Sequence, residues 1–179
     1  ESDDRSPFFN REYSEFTFSN KVYNYFIHPQ WDAFGSPTLY TKILFADYDH
    51  QYAILELIGE WNDSLHNDIM FFKREVIDQL IHQGIYKFIV IGENVLNYHG
   101  DDNSYYEEWA EDIQEYGGWV TFINLREHVI EEMGQTELQY YMHFDPPFNS
   151  INWRVMKPPA FFTAIDQLVF HPKFGRLPG

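Results

Sequence analysis

Between Ile54 and Asn124 the chain alternates continuous apolar runs with amphipathic ones, and that alternation predicts strand, helix, strand, helix, strand. Residues 54–58, 87–91 and 119–123 are short runs rich in β-branched, aliphatic and aromatic side chains, as in strands covered on both faces. Between the first two, Leu65, Ile69, Phe72, Val76 and Leu80 recur at helical spacing, which predicts a helix over residues 65–83 stopped by Gly84. Tyr106, Trp109, Ile113 and Tyr116 define a second apolar face, so a helix is expected over residues 104–116, ended by Gly117 and Gly118. The period therefore switches between that of a pleated strand and that of a helix, which argues for a sheet with crossover helices. Residues 86–91 and 119–123 are expected as neighbouring central strands, parallel and buried on both faces.

The flanks complete a mixed sheet. Residues 38–45 and 52–58 read as a β-hairpin around the Asx-containing turn at 46–51. Further upstream, residues 16–27 read as a short strand or hairpin turning at Ser19, Asn20 and Lys21, and residues 28–37 as a Pro- and Gly-broken loop. Ser104 with Glu107, and Asn124 with Glu127, have capping-box spacing, the second pair opening a short helix that ends near Gly134. After a strand-like stretch at 138–144 comes a helix-like one at 160–168, then a Pro- and Gly-rich end. The expected fold class is α/β, a mixed sheet with a central β-α-β-α-β unit on which aromatic-rich N- and C-terminal extensions pack. Residues 1–37, 38–133 and 134–179 are the N-terminal extension, the core and the C-terminal extension of one globular domain.

Composition narrows the partners. The chain carries 28 acidic and 12 basic residues, a net charge of −16. A surface so negative repels phosphate backbones and anionic lipid, so no nucleic acid and no membrane insertion are expected, and a basic protein is the partner that charge favours. Aromatic residues make up 20% of the chain, and many, including Phe16, Phe18, Tyr25, Trp31, Phe34, Tyr140, Phe144, Phe148 and Phe161, fall outside the central unit. They are expected to form a second layer over the sheet or a surface for homo-oligomerisation. The absence of cysteine excludes disulfides and thiolate chemistry, and with no long apolar run or signal-like start the expected compartment is the cytoplasm.

No nucleophile elbow, phosphate-binding glycine loop or metal-ligand spacing occurs, so neither cofactor nor metal is expected. Glu56 and Glu60 form a carboxylate pair expected to point outward from a strand and its end. Glu107, Glu108, Glu111, Asp112 and Glu115 line one side of the second helix, expected first as a solvated face and second as an interface.

Across residues 38–133 the element order resembles STAS-like domains, the family of bacterial anti-sigma-factor antagonists and transporter cytoplasmic tails. Ile58–Gly59–Glu60–Trp61–Asn62 is similar to the family's Gly–Glu–Leu–Asp segment, and Gly117–Gly118 with residues 119–124 to its Gly–Gly entry into a strand. The family's phospho-switch motif, Asp–Ser–Ser/Thr–Gly, corresponds here to His99–Gly100–Asp101–Asp102–Asn103–Ser104, where Ser104 is the only hydroxyl and Tyr105 follows it. The resemblance implies a non-catalytic protein-interaction or regulatory module, with Asp101, Asp102, Ser104, Glu108 and Glu115 as partner-binding or phospho-switch candidates. The alternative is an enzyme or small-ligand binder with a pocket at the carboxyl ends of the central strands, built from Glu93, Asn94 and His99 with Asp101.

Overall fold

A computed structural model describes residues 2–171. The Pro- and Gly-rich end expected at residues 172–179 lies outside the described residues. A small hairpin comes first, β1 (Lys21–Val22) with β2 (Tyr25–Phe26), followed by a five-stranded sheet. That sheet contains β3 (Asp32–Ala33), β4 (Leu39–Asp47), β5 (Tyr52–Asn62), β6 (Lys87–His99) and β7 (Trp119–Ile123), in spatial order 3-4-5-6-7. Pairing is antiparallel from β3 to β5 and parallel from β5 to β7, the mixed sheet expected from sequence.

Neighbouring strands alternate their side chains between two cores. On the first face Leu55, Leu57, Phe88, Val90, Val120 and Phe122 pack against helices. These are α1 (Asp63–His66), α2 (Asp68–Phe72), α3 (Asp78–His82), α4 (Ser104–Gln114) and α5 (Glu127–Gln135). On the second face Tyr52, Ile54, Ile89, Ile91, Trp119 and Ile123 meet Phe148 together with Phe161 and Ile165 of α6 (Pro158–Phe170). Tyr52 stacks on Phe162 with centroids 4.1 Å apart, and the Trp119 indole N–H donates to Asp166 at 3.0 Å. The far end of the second face is covered from the N-terminal side, where Val22, Ile27 and Trp31 pack with Tyr40, Ile58 and Leu96.

Several expectations need correction. Residues 119–123 pair in parallel with β6 and are buried on both faces, but they form an edge strand, not a central one. The edge is closed by the C-terminal segment: the Phe122 N–H donates to the His143 carbonyl at 2.8 Å, and the Asn124 N–H to that of Phe148 at 3.0 Å. The strand expected at 138–144 is thus reduced to a 3-10 turn at Leu138–Tyr140 and a single bridge from His143 to Thr121. The first long helix is interrupted, because Asn67 takes a left-handed conformation (φ 51°) that ends α1 and turns Leu65 out to 78% exposure. Between α2 and α3 runs a π-helical turn, Lys73–Ile77, whose Lys73, Val76 and Ile77 are buried.

Neither expected capping box forms. Asn103, not Ser104, caps α4, and Arg126 precedes α5 while Asn124 (φ 55°) binds the backbone of Ile151 in both directions. The N-terminal hairpin turns at Tyr23 and Asn24, a register that buries Val22. The aromatic flanks divide: Trp31, Phe34, Phe144, Phe148 and Phe161 are buried, whereas Phe16 and Tyr25 are 94% and 78% exposed. Gly59 is required where it stands, since at φ 123° an added Cβ would lie 2.0 Å from the Thr38 carbonyl oxygen.

Val76 belongs to the first core and Ile165 to the second. Val76→Asp and Ile165→Asp are each expected to lower the unfolding free energy by about 3 kcal/mol or more, by burying an unpaired charge. Chemical denaturation checks both, and a loss under about 1 kcal/mol for Ile165→Asp would mean that α6 does not cover the sheet.

Candidate functional site

At the carboxyl ends of β5 and β6 the chain leaves the sheet twice, into α1 and into the loop before α4. The two exits enclose a cleft of about 400 Å³ lined by Asp63, Ser64, Leu65, Asn67, Asp101, Asp102, Ser104 and Tyr105. Asn62 caps α1, its side-chain oxygen accepting the Leu65 N–H at 2.9 Å. Asn67 then closes this one-turn helix, donating its N–H to the Asp63 carbonyl at 3.0 Å. So short a helix does not bury its own face, and Leu65 is left standing in the cleft.

The floor is the Asp63 carboxylate, only 4% exposed. It accepts the Trp61 indole N–H and the Ile69 N–H, both at 2.8 Å, and on its other oxygen the hydroxyls of Tyr106 at 2.5 Å and Tyr98 at 3.5 Å. One group thereby ties β5, β6, α2 and α4 together. Burial pushes its pKa up to about 6, against the lowering by the bonds from Tyr106, Ile69 and Trp61. Desolvation and the facing Asp63 carboxylate likewise raise the hydroxyls of Tyr98 and Tyr106 above the ordinary tyrosine value. Asp68, fully buried beside it, accepts the Asn62 N–H at 2.8 Å, and its pKa is raised by desolvation.

The rim is acidic and exposed. Asp102 accepts the Ser104 N–H at 2.6 Å, and its hydrogen bonds with the Ser104 side chain and then backbone hold its carboxyl below the usual range. A carboxylate so held is a poor base for activating the neighbouring hydroxyl.

The other sequence candidates disperse. Glu108 does not join the rim: with Asp78 and Asp112 it surrounds the fully buried Lys73, at 2.8 Å from Asp112 and 3.4 Å from Glu108, and Glu108 also lies 2.8 Å from Arg74. Burial alone would lower the Lys73 pKa, but the bonds from Asp112 and Asp78 outweigh it and raise it. Arg74, and then Lys73, lower that of Glu108. Part of the expected solvated face of α4 is therefore an intramolecular ion-pair network. Glu115 stands at the opposite end of α4 from Ser104.

Glu93, Asn94 and His99 do not converge. His99 lies beside Asn62 in the parallel ladder, next to the cleft, whereas Asn94 lies beside Ile58. Glu93 pairs with Arg154, and the Asn94 amide donates to Glu56 at 3.2 Å. Glu56, expected to point outward, is 6% exposed and its pKa is raised by desolvation. Among the described residues no group of three or more His, Asp or Glu side chains is placed to hold a metal ion, and no helix is long and apolar enough to cross a membrane.

Sequence reasoning missed Asp63, Asp68, Tyr98 and Leu65. Asp63 carried one faint signal, an acid directly after a long strand and six residues before Ile69, whose N–H it accepts. Nothing in the spacing announced its burial.

No protein-family model matches the chain, and no curated protein matches it in sequence. Solved structures do. The unphosphorylated anti-sigma factor antagonist SpoIIAA is similar at 14% identity over 59% of this chain and 88% of its own, with a TM-score of 0.46. The crystal structure of TM1081, a protein of Thermotoga maritima, is similar at 18% identity over 59% of this chain and 85% of its own, TM-score 0.43. An NMR structure of the protein TM1081 matches at 17% identity over 72% of this chain and 90% of its own, TM-score 0.42. Likenesses of this size lend the chain neither a family nor residue roles.

Asp63 makes stability pH-dependent with a definite sign. The folded chain holds the Asp63 proton up to about pH 6, whereas the unfolded chain releases it near 3.8. Unfolding free energy therefore falls as pH rises through that interval, by on the order of 3 kcal/mol, and stays low above it. Denaturation across this range is expected to show the native chain losing stability relative to Asp63→Asn as pH rises, since the variant stays neutral throughout. Parallel pH profiles would place the proton elsewhere.

Proposed function

We propose that the chain is a non-catalytic protein-interaction module that docks a basic partner at the cleft between α1 and the loop before α4. The observation that carries this reading is Leu65, a large apolar side chain 78% exposed in a cleft whose other walls include Asp101, Asp102 and Asn67. An apolar anchor ringed by polar and acidic groups is how a docking site is built, with the anchor supplying affinity and the rim supplying orientation. The net charge of −16 adds long-range attraction for a positive partner.

The same geometry favours a constitutive site over a phosphorylation switch at Ser104. The Asp102 carboxylate already occupies the anion position at the start of α4 by accepting the Ser104 N–H. A phosphate on Ser104 would meet Asp102 and Asp101 in the same cleft and be repelled. The enzyme reading lacks a comparable support, because Asp102 is held as a weak base and Glu93, Asn94 and His99 lie apart.

The variant Leu65→Asp with Asp102→Lys is expected to lose partner capture from an extract of the native host. Its unfolding free energy should stay close to that of the native chain, because both substituted side chains are exposed. Capture unchanged by this pair of substitutions, with the protein folded, would remove the cleft from partner binding.

A further inference from the structure

Beside the N-terminal hairpin lies a cleft of about 400 Å³, whose walls include Lys21, Val22 and Tyr23 on the hairpin side and Thr38, Tyr40 and Glu60 on the sheet side. Glu60 is held from three directions. The Tyr23 hydroxyl donates to its Oε1 at 2.7 Å, and the Asn97 amide of β6 donates to the same oxygen at 3.0 Å and to the Tyr23 hydroxyl at 2.9 Å. From the residue just before β4, the Thr38 hydroxyl donates to the Glu60 carbonyl at 2.9 Å and the Thr38 carbonyl accepts the Glu60 N–H at 3.0 Å. Tyr23 reaches Glu60 from a left-handed conformation (φ 54°), uncommon for so bulky a residue.

Three polar groups on these walls keep unused bonding capacity. Both side-chain bonds to the Glu60 carboxylate fall on Oε1, so its other oxygen accepts none among the described residues. Lys21 is exposed and meets no carboxylate among those residues; its ammonium rests 4.4 Å from the Phe26 ring centroid, a contact that occupies one side of it only. Tyr40 is the third. Its ring packs with Val22, Ile27 and Trp31 and the residue is only 7% exposed, yet its hydroxyl has no hydrogen-bond partner among the described residues and is not sealed away from water. A tyrosine buried to that degree ordinarily finds a partner for its hydroxyl, and here the side chain stands in the wall of the cleft.

We infer that this cleft is a binding site for a small zwitterion, a free α-amino acid, whose ammonium sits on Glu60 and whose carboxylate sits on Lys21. Glu60 and Lys21 line one cavity without pairing with each other, so it presents both signs of charge. That pattern selects by exclusion: a simple anion is repelled by Glu60, a diamine by Lys21, and a neutral sugar leaves both charges unmatched. A molecule with both charges a short distance apart satisfies the two walls at once with charge-assisted bonds. The Tyr40 hydroxyl, donor and acceptor together, takes the hydrogen bond that remains, and Val22 offers apolar surface to the ligand side chain. Because Tyr23, Asn97 and Thr38 already fix Glu60, binding loses little to ordering that side chain. The site shares no wall residue with the cleft at Asp63 and Leu65 and stands whether or not that cleft binds a partner.

The probes are the common L-amino acids, each titrated into the full chain and followed by calorimetry and by backbone amide chemical shifts. At least one is expected to bind saturably below about 1 mM, with shifts concentrated at residues 19–23, 37–40 and 60. Two analogues of that amino acid, the α-amide without the carboxylate and the acid without the amine, should each bind at least about tenfold more weakly. In Lys21→Met the amino acid and its amide should bind alike, a loss of discrimination that a merely structural lysine would not produce. Tyr40→Phe removes only the hydroxyl and should weaken binding about threefold or more with the unfolding midpoint unchanged; if it does not fold, Lys21→Met, at an exposed position, decides. No saturation by any amino acid at about 1 mM, an analogue that binds as well as its parent, or shifts centred on residues 63–67 and 101–105 would each overturn the proposal. So would discrimination against the amide that survives Lys21→Met.

Discussion

Everything in this fold follows from a sheet whose inner strands are apolar on both faces. Parallel strands such as β5 and β6 have no solvated side, so the sheet requires a layer above and a layer below. The helices between strands supply the first, because right-handed crossovers return the chain over one face. The second must come from outside the central unit, and here it comes from both extensions, α6 under Tyr52 and Trp119 and the N-terminal segment under Tyr40 and Ile58. That division explains why a small chain carries so many aromatics beyond its central unit. A few large rings cover more sheet than many small side chains do.

Covering the faces constrains the ends. Where β5 and β6 emerge from the two layers, their side chains pass from core to solvent within a residue or two, and polar groups are caught at the boundary. Asp63 is such a group, tolerated because the donors Trp61, Ile69, Tyr98 and Tyr106 converge on it. The acids above it are free of that constraint, and their exposure with Leu65 makes this end of the sheet the chemically distinctive one. The lateral edges are treated unequally: β7 is closed by backbone bonds from His143 and Phe148, while β4 is only partly closed by β3.

Charge follows the same logic of position. Lys73 is buried in a π-helical turn, and the acids of α3 and α4 gather round it, so that Asp78, Glu108 and Asp112 hold α4 against the preceding helical segment. Acids without such a counter-ion, including Asp101 and Glu115, remain on the surface and account for the field a partner would meet.

The strand and helix periods by themselves determined the α/β class, the hairpin of β4 and β5, the parallel order of β5, β6 and β7, and the core roles of Ile69, Phe72, Val76 and Leu80, because these depend on spacing along one segment. Composition determined that the flanks must pack on something, and it set the sign of the charge. What the chain order left open was decided by contacts between segments distant in sequence. Residues 119–123 look central from their apolarity, and only the arrival of His143 shows that a buried strand can be an edge. Leu65 fits the helical stripe, and only the left-handed turn at Asn67, held in place by α1 and α2 together, sends it outward. Asp63 reads as a loop acid until Tyr98 and Tyr106 from other elements close over it, and Glu108 reads as solvated until Lys73 and Arg74 meet it. Burial and ion pairing are properties of two segments at once, and no periodicity within one of them encodes the other's approach.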